Sequence, residues 1–344
     1  MHYLRSFLHS LRAEVFVLPT RIIAVAFVIA LLILPLFTQD PYFLRMLILA
    51  SVFAIYATSW DILAGYAGQI SLGHALFFGT GAYTTALLGL HLGLPPSLTV
   101  PLGAVAATVA GLAVGIPCLR LRKHYLALAT LAFPLMLTGL VFMFPGFSGG
   151  EGGIWRIARL AATRVGEYYL IVGTMLVVVF ILWRIAGSRV GLIFHAIRED
   201  EVAARALGIN TIRYKLLAFA ISGFTAGVAG ALYAHVTRIA GPSNLDLFMS
   251  FQPIIWTIFG GAATVYGPVT GAFILFPALD LLHVVLPQYR MLIFALIVLF
   301  ILRFMPQGVT TWVRDRIERV CPSCRVRNVA TRRTCRACGA ELRD

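Results

Sequence analysis

Four cysteines near the C-terminus form a pattern suited to binding a metal ion. Cys321 and Cys324 make one Cys-x-x-Cys pair, and Cys335 and Cys338 make a second pair after ten intervening residues. Two pairs at this separation supply four thiolates for a tetrahedral Zn²⁺ site. Because so short a segment contains little apolar material for a core, bound metal would have to stabilise its fold. The spacing therefore predicts a structural zinc ribbon.

A second candidate site lies in residues 61–83, an apolar segment that glycines and polar residues interrupt repeatedly. Glycines let backbones approach closely, and polar side chains inside a bilayer need protein or water partners. We therefore expect the segment to face other protein or a path through it. If the helix breaks between Gly65 and Gly73, its freed amides could meet a substrate carboxylate. The alternative is that these polar groups only bond neighbouring helices. The candidates for a translocation path are the side chains of Asp61, Gln69, Ser71 and His74 together with the glycines Gly65, Gly68 and Gly73.

A polar loop precedes the apolar run that begins near residue 214. Val202, Ala206 and Ile209 recur at helical spacing, the acids 199–201 precede them, and Gly208 follows. Acidic residues favour the start of a helix and glycine favours its end. The pattern predicts a short amphipathic helix outside the bilayer. Its apolar face could pack on the membrane surface, on neighbouring loops or in a groove of a partner.

Composition indicates what must position these residues. The chain has 344 residues, of which 60% are hydrophobic and only 12% are charged. Apolar runs of roughly the 20 residues that cross a bilayer recur along it, which predicts an all-α polytopic membrane protein with about ten transmembrane helices. The predicted spans are 22–37, 43–63, 69–90, 98–119, 125–144, 168–186, 214–237, 248–265, 268–286 and 290–304.

The charge distribution indicates an orientation. The net charge is +14, and with the N-terminus inside, most of the Lys and Arg residues fall on inner segments. The positive-inside rule then places both termini in the cytoplasm. We expect a transmembrane domain at 1–313 and a cytoplasmic ribbon at 314–344. A reducing compartment disfavours disulfides there, and the arginines of the tail would meet lipid or solvent rather than nucleic acid. The fifth cysteine, Cys118, is expected to be buried.

Two segments together resemble the permease subunits of branched-chain amino acid ABC importers, in particular the LivM type. The first comprises residues 65–75 with 77–79 and 81–83, and the second comprises 196–199, 203–204, 206–209 and 214–219. The glycine-rich stretch 149–154 is also similar to a loop of that family. The resemblance covers roughly residues 20–306, and motifs in matching context are far more specific than one motif alone.

The resemblance implies a set of partners. The permease would pair with a second, LivH-like permease, two ATPase subunits and an extracytoplasmic substrate-binding protein in the lipid bilayer. Residues 196–209 match the coupling helix of the family, which would sit in a cleft of the ATPase. The coupling residues are Glu199, Glu201, Ala203, Ala204 and Gly208. Because the sequence contains no phosphate-binding loop, ATP would be hydrolysed by a separate subunit, and this chain would not be an enzyme.

We therefore expect a multi-pass permease of the inner membrane for branched-chain or other hydrophobic amino acids, with no nucleotide bound by this chain. One alternative is an ABC permease for another small polar solute, such as an amide, urea or a sugar. A second is an ion-coupled secondary transporter, for which Asp280 and His283, one helical turn apart, could relay protons. The coupling-type loop and the scarcity of carboxylates in the spans argue against that second alternative.

Overall fold

A computed structural model of the protein describes residues 19–38, 40–118, 123–285, 288–304, 307–322, 324, 327–329, 334–335 and 338–341. The chain divides into two compact units, one formed by Met1–Gln39 with Val309–Asp344 and the other by Asp40–Gly308. The predicted domain boundary at residue 313 stays a prediction.

The described residues are mostly helical. The helices are α1 (Pro19–Phe37), α2 (Pro41–Trp60), α3 (Ala75–Leu92), α4 (Pro96–Cys118), α5 (Lys123–Met143), α6 (Pro145–Ser148), α7 (Arg164–Ala186), α8 (Arg189–Glu199), α9 (Glu201–Ala206), α10 (Thr211–Thr237), α11 (Leu247–Gly260), α12 (Tyr266–Val285), α13 (Arg290–Phe304) and α14 (Val309–Ile317). The strands are β1 (Ile154–Trp155), β2 (Ile239–Ala240), β3 (Glu318–Val320) and β4 (Arg327–Val329).

The all-α polytopic fold is confirmed. Apolar helices occur at each of the ten predicted positions, and six of those in the described part of the chain are long and apolar enough to cross a membrane. These six are Pro41–Tyr66, Ala75–Leu92, Pro96–Cys118, Tyr125–Met143, Arg164–Ala186 and Thr211–Thr237. The apolar parts of α1, α11 and α12 are shorter, so the number of spans stays a prediction. The side of the membrane on which the termini lie also stays a prediction.

Local sequence explains where the main helices start. Asp40 caps α2 by accepting a hydrogen bond from the Tyr42 N–H at 3.0 Å, and Pro41 occupies the first turn, where its missing N–H costs nothing. Asn210 caps α10 in the same way, through the Arg213 N–H at 3.1 Å. These caps fix the ends of the two helices that carry most of the core.

The larger unit is built around α2. In its most apolar window 89% of the residues are buried, and α2 packs against α7, α10, α11 and α12. A second layer joins α3, α4 and α10, where glycines allow close crossing. A Cβ at Gly81 would overlap Gly227, for example. Strand β1 pairs antiparallel with β2, contacts α3 and ties the loop after α6 to the end of α10.

The smaller unit contains α1, α14 and the two-stranded sheet of the tail. Strands β3 and β4 pair antiparallel, with Arg319 opposite Asn328. Cys321 follows β3 directly, and a bridge joins Thr334 to Glu341. The sheet therefore brings the two cysteine pairs towards each other.

Candidate functional site

The segment 61–83 contains a break between two helices. The chain of α2 continues as a π-helix over Asp61–Tyr66, residues 67–74 are not helical, and α3 begins at Ala75. The predicted start of the third span at residue 69 is therefore wrong. Gly68 adopts the left-handed backbone, with φ 68°, which ends a right-handed helix at low cost only for glycine.

Neighbouring helices bond the backbone of this break. The Leu72 N–H donates to the Thr130 hydroxyl at 3.2 Å, and the Ala75 N–H donates to the Ser250 hydroxyl at 3.1 Å. The Trp60 indole N–H donates to the Ser71 carbonyl at 2.9 Å. Such bonds are required because an unsatisfied backbone group in a membrane interior costs several kcal/mol.

The predicted polar side chains of the break are buried and partly paired. The Gln69 amide donates to the Ala67 carbonyl at 3.1 Å, and His74 Nε2 lies 2.8 Å from the Ser59 hydroxyl. The His74 ring also contacts the rings of Tyr56 and Phe77. Among the described residues, Ser71 Oγ and His74 Nδ1 have no hydrogen-bond partner.

The candidate glycines lie where backbones meet. A Cβ at Gly73 would overlap the carbonyl of Thr130, and a Cβ at Gly65 would overlap the carboxylate of Asp61. A Cβ at Gly68 would lie 3.0 Å from Cγ of Arg198. The break is thus held by close contacts with α5 and α8.

Two contacts at this break were not expected from the sequence. Asp61 is buried, and its Oδ1 accepts a hydrogen bond from the Ala263 N–H in the turn between α11 and α12 at 2.7 Å. The Arg198 guanidinium of α8 donates from Nη1 to the Gly65 carbonyl. The only sequence signal for Arg198 was its position in the motif at 196–199.

The loop between α7 and α10 contains two helices where one was expected. Asp200 has an extended backbone, with φ −147° and ψ 106°, and separates α8 from α9. Its carboxylate caps α9 by accepting hydrogen bonds from the N–H groups of Val202 at 2.8 Å and Ala203 at 3.1 Å. The short helix predicted after the acids 199–201 and before Gly208 corresponds to α9. The continuous helix over 196–209 that the resemblance implied is divided, because a capping Asp200 favours a new helix start.

The predicted coupling residues differ in their surroundings. Glu199, Ala203 and Gly208 are exposed, whereas Ala204 is buried. Glu201 accepts a hydrogen bond from Lys215 Nζ at 2.6 Å, and it also bonds Arg205 and the Thr211 hydroxyl. Partial burial raises the pKa of Glu201, but the bonds and charges of Lys215 and Arg205 outweigh burial and lower it overall.

The exposed face of this loop carries large apolar side chains. Val202 is 76% exposed and Leu207 is 82% exposed. Val202 lies on α9 and Leu207 directly follows it, so among the described residues these two apolar side chains are left uncovered, while Glu201 of α9 is bonded to α10.

The four cysteines of the tail are clustered. Their Sγ atoms all lie within 4.8 Å of one another, with Cys321 and Cys338 at 3.6 Å and Cys324 and Cys335 at 3.4 Å. Four thiolates around Zn²⁺, each at about 2.3 Å, would be separated by about 3.8 Å in a regular tetrahedron. The donor set and its spacing fit that ion. Asn328 Nδ2 also donates to Cys335 Sγ at 3.5 Å. The remaining cysteine, Cys118, is buried as expected.

These features define a polytopic α-helical protein with a buried, broken helix and a loop that is hydrogen-bonded to the helix after it. A broken helix of this kind is typical of membrane transporters. Residues 42–302 match the family model described as the branched-chain amino acid transport system permease component. The chain belongs to this family and is a multi-pass protein of the inner membrane. It is therefore a transport subunit and not an enzyme. The tail with the cysteines lies outside the matched residues.

The similar proteins include permeases named for branched-chain amino acids and a permease named for ribose. The high-affinity branched-chain amino acid transport system permease protein LivM of Salmonella typhimurium is 28% identical over 296 residues, which cover 78% of this chain and 69% of the relative. The LivM protein of Escherichia coli is 28% identical over 299 residues, covering 78% and 70%. The ribose import permease protein RbsC of Haemophilus influenzae is also 28% identical, over 271 residues that cover 74% and 82%.

Proposed function

We propose that the chain is the membrane-spanning subunit of an ATP-driven importer for branched-chain or other hydrophobic amino acids. The observation that carries the proposal is the non-helical segment 67–74, which is mostly buried, between two apolar helices. Non-helical backbone at membrane depth occurs only where protein buries it or where it lines an aqueous path. Gly65, Gly68, Gln69, Ser71, Gly73 and His74 form this segment and its edges, and we assign them to the translocation path.

The proposed partners follow from the membership of the family. They are a second permease, two ATPase subunits and an extracytoplasmic binding protein. The uncovered apolar side chains of Val202 on α9 and Leu207 at its end are the proposed contact with an ATPase subunit. Among the coupling residues, Glu199, Ala203 and Gly208 are exposed to that partner, whereas Ala204 and Glu201 maintain the loop.

A half-open apolar cavity is compatible with an aliphatic substrate. It lies between α3, α4, α5 and α6, has a volume of about 460 Å³, and is lined mostly by apolar residues such as Leu76, Leu137 and Val141. An apolar lining suits an aliphatic side chain, whereas a sugar needs hydrogen bonds to its hydroxyls. The ribose permease among the relatives supports the second candidate, an importer for a small polar solute.

The test is ATP-dependent uptake by the complex with its binding protein in proteoliposomes. Gly73→Leu should abolish uptake of leucine, because its side chain would overlap the Thr130 carbonyl, while the protein still inserts. Gly89→Leu is the matched control on α3, since a Cβ there meets nothing within 4 Å. Normal uptake by the Gly73 variant would contradict the role of the break.

Two further outcomes separate the alternatives. Uptake of ribose in place of leucine would favour the polar-solute importer. Uptake that continues without ATP and stops when the proton gradient is collapsed would favour an ion-coupled transporter. Of the pair considered for that mechanism, Asp280 accepts a hydrogen bond from the Tyr42 hydroxyl at 2.6 Å, and the side chain of His283 lies outside the described residues.

We also propose that the tail binds one structural Zn²⁺ through Cys321, Cys324, Cys335 and Cys338. The ion would supply no reaction and would hold the two knuckles together, since the tail has a small core. Metal analysis of the purified protein should find about one zinc per chain. A double serine variant of Cys321 and Cys324 should lose it, while a serine at Cys118 should not. Absence of metal from the wild-type protein would contradict the assignment.

A further inference from the structure

Arg198 links the loop between α7 and α10 to the helix break. In an α-helix the Gly65 carbonyl would accept from the N–H four residues later, but the Gln69 N–H donates to the Leu63 carbonyl instead, at 2.9 Å. The π-helical turn thus leaves the Gly65 carbonyl without its helical partner, and Arg198 donates to it. We propose that Arg198 is a positioning residue that transmits movement of the loop to the break. The inference rests on the proposed function of the chain as an ATP-driven importer.

Helix α8 is held firmly against the break. Its apolar face is anchored by the buried side chains of Phe194 and Ile197. The His195 ring contacts the Tyr66 ring with 5.0 Å between centroids, and the backbone of Arg198 lies close to Gly68. Since these contacts surround the guanidinium bond, a shift of α8 must move residues 65–68 or break that bond.

The break in turn is bonded to the turn between α11 and α12. Asp61 accepts from the Ala263 N–H at 2.7 Å, and a Cβ at Gly65 would lie 2.9 Å from the same nitrogen. Ala263 has a left-handed backbone, with φ 58°, which costs energy for a residue with a side chain. The carboxylate of Asp61 therefore maintains a strained turn, and Arg198 interacts with that carboxylate electrostatically.

The opposite end of the link is the exposed face of α9. Asp200 joins α8 to α9 and caps α9, so the two helices share one residue at their junction. A force on Val202 or Leu207 passes through this junction to Arg198. The described contacts thus form a continuous path from the surface proposed to meet the ATPase, through Arg198 and Gly65, to Asp61 and the turn at Ala263.

The test uses the full complex with its ATPase subunits and measures hydrogen exchange over residues 61–74 with and without ATP. The wild-type complex and Arg189→Ala should show an ATP-dependent change in exchange. Arg189 is the matched control because it is an exposed arginine on the same helix. Arg198→Ala should lose the change while still hydrolysing ATP, and leucine accumulated per ATP should fall at least about tenfold. Arg198→Lys keeps a donor and a charge and should restore most of both signals.

The outcomes distinguish the inference from the proposed function. If Arg198→Ala keeps the ATP-dependent change, the inference is wrong whatever the substrate. If the wild type shows the change without accumulating leucine, the proposed substrate is wrong and the inference stands. If the complex with Arg198→Ala does not assemble, Arg198→Gln is measured instead, because the glutamine side chain is larger than that of alanine but shorter than that of arginine and uncharged. An ATP-dependent change in Arg198→Gln equal to that of the wild type would then overturn the inference.

Discussion

Replacing Glu201 by alanine should loosen the loop between α7 and α10. Its carboxylate bonds Lys215, Arg205 and the Thr211 hydroxyl, and Arg205 Nε also donates to the Thr211 hydroxyl at 3.0 Å. Lys215 is the important partner because only 8% of its side chain is exposed. Without Glu201 the ammonium group of Lys215 would be buried without its counter-ion.

The size of the effect follows from burial. Breaking a fully buried ion pair costs about 3–5 kcal/mol, and an exposed pair is worth about 0–1 kcal/mol. The Glu201 side chain is 28% exposed, which places this pair between the two cases, at about 2 kcal/mol. Since about 1.4 kcal/mol corresponds to a factor of ten, the opening equilibrium of the loop should rise about 30-fold.

Hydrogen exchange of the amides of residues 201–215 measures this opening. Glu199→Ala is the matched control, because Glu199 is an exposed acid two positions away. We expect exchange in Glu201→Ala to be about 30-fold faster and exchange in Glu199→Ala to stay within about threefold of the wild type. Equal exchange in the two variants would refute the reasoning from burial.

The effect should also depend on pH. Folding lowers the pKa of Glu201, so its carboxylate stabilises the folded loop fully above the unfolded value of about 4.3. That contribution is lost as the pH falls through the lower folded pKa. The difference in melting temperature between wild type and Glu201→Ala should therefore be constant near neutral pH and shrink below about pH 4. A difference that grows in acid would mean that the pKa is raised.

Two further predictions concern packing and charge. Gly230→Ala should lower the melting temperature in detergent, because its Cβ would overlap the Phe78 carbonyl, at a cost of about 1–3 kcal/mol of folding free energy. The control is Gly173→Ala, whose Cβ would meet nothing within 4 Å and which should stabilise α7 slightly. Burial is the main cause that lowers the pKa of His195, and the charge of Arg198 lowers it further. Arg198→Ala should therefore raise this pKa in an NMR titration. An unchanged pKa would mean that the guanidinium does not lie near His195.

The positions of the helices could be predicted because length and hydropathy determine which segments can cross a bilayer. The start of α3 at Ala75 could not be predicted from hydropathy. The apolar run continues through Gly68, and hydropathy does not report the left-handed backbone of that glycine. The division of the loop at Asp200 was missed for a related reason. An acid at that position is equally consistent with the first turn of a longer helix and with a cap between two helices.

Contacts between distant residues limited the prediction of the site. Gly65 and Gly73 were identified because they interrupt an apolar segment, but their partners Arg198 and Thr130 come from other helices. Arg198 is 133 positions from Gly65, and Ala263 is 202 positions from Asp61. No local pattern reports such pairs. The cysteines were the easier case, because a metal site requires four ligands of known type at short spacing.

The internal bonding of the break bears on how it could recognise a substrate. The Gln69 amide bonds within its own segment, His74 bonds Ser59 and packs between aromatic rings, and the described backbone is bonded to α5 and α11. Side chains that are already hydrogen-bonded within the protein maintain the conformation of the break more than they select a solute. This agrees with equal identity to relatives named for amino acid and for ribose transport. We therefore expect Ser71→Ala, which removes an unpartnered hydroxyl, to change the rate of leucine uptake by less than about tenfold, whereas Gly73→Leu abolishes it. A Ser71 variant as inactive as the Gly73 variant, measured in the same proteoliposomes, would instead assign selection of the solute to this hydroxyl.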